Sequence, residues 1–224
     1  MNYSMDKKIA TQTADLILKT ESYVINFNKP KENWINLPNG NVIPCYCNCR
    51  YINRSVKATQ IIGKKFSEMI KTKFPNVELI IGLETAGISW ASKIAMDLQL
   101  PFAYARGKSK GYGLGKLIEC NPPKNLKTVI IDDAYFTGES IIKAVKAAQD
   151  EIMGEILGVG VIVNLSNLEK NENYLNLIKS GISFCSLTDY NFILKELKKE
   201  KQIDNIQYLE LEKFYNDPKV FSWN

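Results

Sequence analysis

Between residues 77 and 187, short apolar runs alternate with helix-patterned stretches, and this alternation constrains the fold more than any other feature of the chain. The runs are VELIIG (77–82), PFAYA (101–105), TVIID (128–132), ILGVGVIV (156–163) and ISFCSL (182–187). Between them, residues 87–98 and 139–150 repeat their apolar side chains at helical spacing, and LNLIKSG (175–181) reads as the end of another helix. Short apolar strands joined through helices predict an α/β fold, a central parallel sheet flanked by helices on both faces. In such a sheet, ligands bind beyond the carboxyl ends of the strands.

The flanks are less regular. Residues 6–19 form a helical pattern in which Ile9, Ala10, Thr13, Leu16 and Ile17 share a face. Residues 55–73 form another, with Ile62, Phe66, Met69 and Ile70 in phase and Ser55 placed to cap it. The stretch from 23 to 52, with a turn-like LPNG at 37–40, predicts an irregular or antiparallel subregion. Helical pattern returns at 190–200, followed by a Lys/Glu-rich tail read either as a packing segment or as one that completes the small N-terminal region. A chain of 224 residues with 45% hydrophobic content fits one domain. Its expected parts are a core of about 55–190 and a small region of about 1–54 completed by the C-terminal tail.

Charge and cysteine content narrow the function. The net charge is +5, but all basic residues except Arg50, Arg54 and Arg106 are scattered lysines, whereas nucleic-acid recognition favours clustered arginine. An anionic small substrate fits this charge equally well, and no nucleic-acid partner is expected. Asp6, Lys7, Lys8, Asp15 and Lys19 interrupt the segment where a leader peptide would need an apolar core. No apolar run reaches the ~18 residues of a membrane span, so the expectation is a cytoplasmic protein with no membrane partner. Cys45, Cys47 and Cys49 form a C-x-C-x-C run that invites a metal reading. The chain has no histidine and lacks the usual paired-knuckle spacing, so these cysteines are expected to be small buried side chains on one strand face.

TVIIDDAYFTGES (128–140) carries the densest chemistry. An apolar run ends on Asp132 and Asp133, adjacent carboxylates that repel each other and need an offset. Solvated loop acids, or a cap for the next helix, are one account of them. The loop that follows favours a ligand. Phe136, Thr137, Gly138, Glu139 and Ser140 supply a glycine, two hydroxyls and a run of backbone N–H groups at a helix N-terminus, an anion site suited to phosphate. Carboxylates beside a phosphate cradle call for a ligand bearing both hydroxyls and phosphates, with a divalent cation to balance charge. A phosphorylated sugar meets each requirement.

The segment VIIDDAYFTGES resembles the phosphoribosyl pyrophosphate (PRPP) signature of the type I phosphoribosyltransferases, with Phe136 where that family commonly has a small hydroxyl residue. GLETAGISWASKIAMDLQLPFAYARGKSKGYGLGKLIEC (82–120) is similar to the orotate phosphoribosyltransferases, with their G-x-x-x-x-G-I-P turn, strand ending in Y-x-R-K and loop of K-x-H-G type. LPNGNVIPCYCN (37–48) resembles the hood element of the same family. The resemblance implies that Asp132 and Asp133 hold the ribose hydroxyls and, indirectly, Mg2+, and that residues 136–140 hold the 5-phosphate. It further implies that Glu84, Thr85, Ala86 and Gly87 present backbone N–H groups to the pyrophosphate. Arg106 and Lys110 would close over that pyrophosphate across a homodimer interface, and Tyr112 stands at the position of the family's loop histidine.

The departures fall elsewhere. Pro38, Ala86 and Gly107 replace family lysines, and Ser166 and Asn167 stand where the family carries an arginine for the base's carboxylate. The implied activity is phosphoribosyl transfer from PRPP to a pyrimidine base, orotate foremost. The alternatives are another base, or a PRPP-sensing protein with reduced catalysis. A dinucleotide enzyme would need G-x-G-x-x-G after its first strand, which GLETAG does not provide.

Overall fold

The computed structural model describes residues 5–27, 29–36, 42–108 and 116–216. In chain order the elements are α1 (Lys7–Lys19), β1 (Tyr23–Ile25), β2 (Ile35–Asn36), β3 (Val42–Ile43), β4 (Cys45–Cys47), α2 (Val56–Lys73), β5 (Leu79–Leu83), α3 (Ala86–Leu98) and β6 (Phe102–Ala105). They continue with β7 (Ile118–Glu119), β8 (Lys127–Tyr135), α4 (Glu139–Ile152), β9 (Glu155–Asn164), α5 (Glu172–Lys179), β10 (Ser183–Asp189), α6 (Tyr190–Lys199) and α7 (Asn205–Asn216). The expected parallel sheet is present in the order β10-β9-β8-β5-β6-β7, parallel except for the short antiparallel edge strand β7.

Side-chain alternation along the central strands divides the core. Ile80, Val129 and Ile131 face the side covered by α1, α2, α3 and α6, whereas Leu79, Ile81 and Ile130 face α4 and α5. Burial on both faces is why these strands read as continuous apolar runs.

From β5 the chain runs through α3 to β6 on one side, and from β8 through α4 to β9 on the other. The winding therefore reverses between β5 and β8, the place where doubly wound sheets open a crevice. β8 is longer than the expected TVIID, because its pairing with β9 continues through Ala134 with Val163 and Tyr135 with Asn164. Its pairing with β5 stops at Ile131. Asp132 and Asp133 thus lie within a strand that has lost one neighbour, rather than after it.

The N-terminal region is built from small antiparallel pairs, β1 with β4 and β2 with β3. Cys45 and Cys47 are buried on β4 as expected, whereas Cys49 is buried in the turn 49–54 that follows the strand, not on its face; Sγ of Cys47 and Cys49 lie 3.6 Å apart, and burial pushes the Cys45 thiol up to about 11. Among the described residues no group of three His, Cys, Asp or Glu side chains is placed to hold a metal.

The tail contains a helix, α7, where the sequence showed only Lys/Glu-rich character. Its start carries a reciprocal cap: Asp204 Oδ1 accepts from Gln207 N at 2.8 Å and Gln207 Oε1 accepts from Asp204 N at 3.1 Å. Its buried end reaches the N-terminal region, with the Tyr215 hydroxyl 2.6 Å from that of Tyr23 and 3.7 Å from Cys45 Sγ, and its ring stacked on Tyr190.

Candidate active site

Two turns meet at the exposed end of β8. The first, residues 84–87, leads from β5 into α3, and Gly87 lies so close to β8 that a Cβ there would stand 2.6 Å from the Ile131 carbonyl and 3.1 Å from Asp132 Oδ1. Only glycine permits that approach. Glu84 and Thr85 are exposed beside it, Ala86 is half-buried, and the Glu84–Thr85 peptide is cis. The second turn, residues 136–138, leads from β8 into α4. Gly138 adopts φ 82° and folds against the ring of Tyr135, which any side chain at 138 would strike. Thr85 and Gly138, the residues preceding α3 and α4, make no side-chain cap bond. Both helices therefore start at the crevice with backbone N–H groups to offer.

Between the turns lie the half-buried Asp132 and Asp133. Asp132 Oδ1 accepts from the Asp133 N–H at 2.9 Å, and Asp133 Oδ1 accepts from the Ala134 N–H at 2.9 Å. Burial pushes the Asp132 carboxyl well above the usual range, and the neighbouring Asp133 charge adds to the rise. Burial raises Asp133 too, against the pull of its hydrogen bonds. The charge of Arg50 lowers both. Arg50 lies in the turn 49–54 that packs on β8, with its Nε donating to Asn48 Oδ1 at 3.1 Å. Sequence reasoning noted Arg50 only as one of few arginines, since nothing local ties it to residues more than eighty positions away.

The third expected component is the segment after β6. Arg106 donates its backbone N–H to the Leu117 carbonyl at 2.9 Å, and its Nη1 stands 3.6 Å from Glu119 Oε1 on β7. Glu84 binds this root to the first turn: its N–H donates to Ala105 O at 2.9 Å and its Oε2 accepts from Gly107 N at 3.2 Å. The returning end is held by Glu151 of α4, whose two carboxylate oxygens accept from the N–H groups of Leu117 and Ile118 at 2.8 and 3.0 Å. Glu151 was not foreseen from the sequence. Lys110 and Tyr112 lie outside the described residues, as does Pro38.

At the exit of β9, Ser166 is buried and Asn167 half-buried. Asn164 clasps Ser166 through both its amide atoms, and Asn167 Nδ2 donates to Asn216 Oδ1 of α7 at 3.2 Å. Phe136 stacks on Phe214 of the same helix with ring centres 6.1 Å apart. The C-terminal helix therefore touches the loops that follow both β8 and β9.

An acidic pair at a winding reversal, flanked by two open helix starts, is an arrangement chemically suited to a ligand that joins hydroxyls to separated anionic groups. The profile of the phosphoribosyl transferase domain family matches residues 51–192, which covers this entire arrangement. Over 174 residues the chain is 37% identical to an orotate phosphoribosyltransferase of Streptococcus agalactiae, covering 78% of this chain and 81% of that one. It is 38% identical over 170 residues to the Fusobacterium nucleatum orotate phosphoribosyltransferase, covering 76% and 78%. Among solved structures, the orotate phosphoribosyltransferase of Aeropyrum pernix superposes with a TM-score of 0.70 at 22% identity, covering 83% of this chain and 98% of that one. A Mycobacterium tuberculosis orotate phosphoribosyltransferase in complex with PRPP superposes with a TM-score of 0.60 at 19% identity, covering 83% and 98%. The chain belongs to the phosphoribosyltransferase family, as a member of its orotate phosphoribosyltransferase group.

Proposed function

We propose that this chain transfers the 5-phosphoribosyl group of PRPP to orotate, giving orotidine 5'-monophosphate and pyrophosphate in pyrimidine nucleotide synthesis. The observation that carries this reading is the acidic pair Asp132–Asp133 set between the starts of α3 and α4, at the place where β5 has ended and β8 continues. Asp132 and Asp133 hold the ribose 2- and 3-hydroxyls in this reading. The loop of Phe136, Thr137, Gly138, Glu139 and Ser140 takes the 5-phosphate, and Glu84–Gly87 takes the pyrophosphate.

Mg2+ fits this donor set. It keeps several waters and is commonly held by one or two carboxylates together with substrate phosphates. Adjacent carboxylates without a third protein ligand among the described residues suit that mode, with Asp132 and Asp133 acting mainly through the ribose hydroxyls and water. When bound with the substrate, Mg2+ supplies positive charge at the pyrophosphate.

Breaking the C1–pyrophosphate bond builds negative charge on the leaving group and positive charge on the ribose ring. Arg106 and Lys110 stabilise the first in this reading, as cations placed where charge develops. The acidic pair stabilises the second and fixes the ring for attack by the base nitrogen. Tyr112 donates a hydrogen bond at the leaving group, a weaker acid than histidine at neutral pH. Closure of the segment between Arg106 and Leu117 over the substrate excludes water that would hydrolyse the sugar.

A homodimer in the cytoplasm completes the reading, each loop serving the partner's site. Its support is the family membership, together with the fact that no described helix is long and apolar enough to cross a membrane. The deciding experiment is mass-spectrometric turnover with PRPP, Mg2+ and a panel of bases. Orotidine 5'-monophosphate is the expected product. Product from another base alone reassigns the acceptor, and PRPP binding without any product moves the chain to a sensing role.

A further inference from the structure

The loop after β8 is held from behind by two asparagines at the start of α5. Asn171 Nδ2 donates to the Phe136 carbonyl and to Ser166 Oγ, each at 3.0 Å. Its Oδ1 accepts from the Tyr135 hydroxyl at 2.9 Å and from Tyr174 N at 3.0 Å. An asparagine side chain has two N–H donors and one oxygen with two lone pairs, so every capacity of Asn171 is in use. Two positions on, Asn173 Nδ2 donates to the Thr137 carbonyl at 2.8 Å.

These bonds set the direction of the peptide planes. In a planar trans peptide the carbonyl and the following N–H point in opposite directions. With the carbonyls of Phe136 and Thr137 engaged by amides from α5, the N–H groups of Thr137 and Gly138 face away from α5, with Gly138 at φ 82° completing the turn into α4. Tyr135 adds a further constraint, since its ring supports Gly138 while its hydroxyl is taken by Asn171. Through Ser166, the same asparagine joins this loop to the exit of β9.

We propose that Asn171 and Asn173 are positioning residues for phosphate binding: by holding the carbonyls of Phe136 and Thr137, they turn the next two N–H groups toward the 5-phosphate of PRPP. This rests on the function proposed above. Neither residue touches the substrate. Both act through the backbone of the loop, so their loss weakens the grip on the 5-phosphate and spares the pyrophosphate turn on the far side of the acidic pair.

The test uses the full chain and the neutral substitutions Asn171→Ala and Asn173→Ala, which add no charge to repel an anion. PRPP KM, kcat, and inhibition by ribose 5-phosphate and by pyrophosphate are measured for each. The expected result is a rise of about tenfold in PRPP KM and in the ribose 5-phosphate Ki, the loss that accompanies one well-made hydrogen bond. The pyrophosphate Ki should stay within about twofold, with kcat falling far less than kcat/KM. Equal weakening of both inhibitors, the mark of general loosening, overturns the proposal, as does an unchanged ribose 5-phosphate Ki in a variant with unchanged Tm. If Asn171→Ala does not fold, Asn173→Ala carries the test, because its bond lies at the surface. Wild-type protein that neither turns over PRPP nor binds PRPP or ribose 5-phosphate in calorimetry overturns the functional reading itself. Normal wild-type inhibition with unaltered variants overturns the positioning role alone.

Discussion

Asp132 and Asp133 are held where ionisation costs the folded chain stability. Each carboxyl is raised by burial, and Asp132 also by its neighbour's charge. The sign follows directly. The unfolded chain ionises these groups near the ordinary value of about 4, while the folded chain resists ionisation, so stability is fullest below that pH and is lost as pH rises toward the raised folded values. Asp132→Asn keeps an oxygen for the Asp133 N–H and removes the charge. It should raise Tm at pH 7 and converge with wild type by about pH 4. Thermal scans across that range check this, and a variant less stable at pH 7 would count against it. The double substitution Asp132→Asn with Asp133→Asn should abolish PRPP binding in calorimetry, and unchanged affinity would sink the site assignment. Arg50 belongs to the same balance, since its charge opposes the rise at both acids.

At the level of elements, what the sequence made legible follows from range. Strand, acidic pair, Gly138 and helix start are contiguous, so β8, α4 and the loop between them could be read from one short stretch. The apolar runs likewise revealed the sheet, because burial on both faces leaves a local signature. Glu151, Asn171 and Arg50 carry no such signature, since each acts on backbone or charge that only the tertiary fold brings near. α7 was overlooked for a different reason. Its apolar face is narrow, with Leu211, Phe214 and Tyr215 buried, and the Asp204–Gln207 cap that announces it was passed over. The Tyr215 hydroxyl gives this helix a measurable anchor. Tyr215→Phe leaves the buried Tyr23 hydroxyl without its 2.6 Å partner and should cost about 1–3 kcal/mol. At about 2–4 °C per kcal/mol for a chain of this size, calorimetry should register the loss. A Tm within a degree of wild type would mean that α7 contributes little to the N-terminal region.

For the whole molecule, the question is whether one chain completes a site. If the segment carrying Lys110 closes over a partner's acidic pair, then Lys110→Ala and the Asp132→Asn/Asp133→Asn double variant are each inactive alone. Mixed after dissociation and reassociation, they should recover about a quarter of wild-type activity, since half the dimers are hybrids with one intact site each. No recovery, with hybrids verified by native mass spectrometry, would place the loop over its own subunit's site, and a monomer in light scattering would remove the interface altogether. The clasp of Glu151 on Leu117 and Ile118 extends this argument to the timing of closure. α4 begins at the proposed phosphate loop and holds the returning end of that segment near its other terminus through Glu151, 12 residues and about 18 Å on from Glu139 along a rigid rod. Occupancy at one end should therefore be registered at the other as slower hydrogen exchange of the Leu117 and Ile118 amides, before any base has bound.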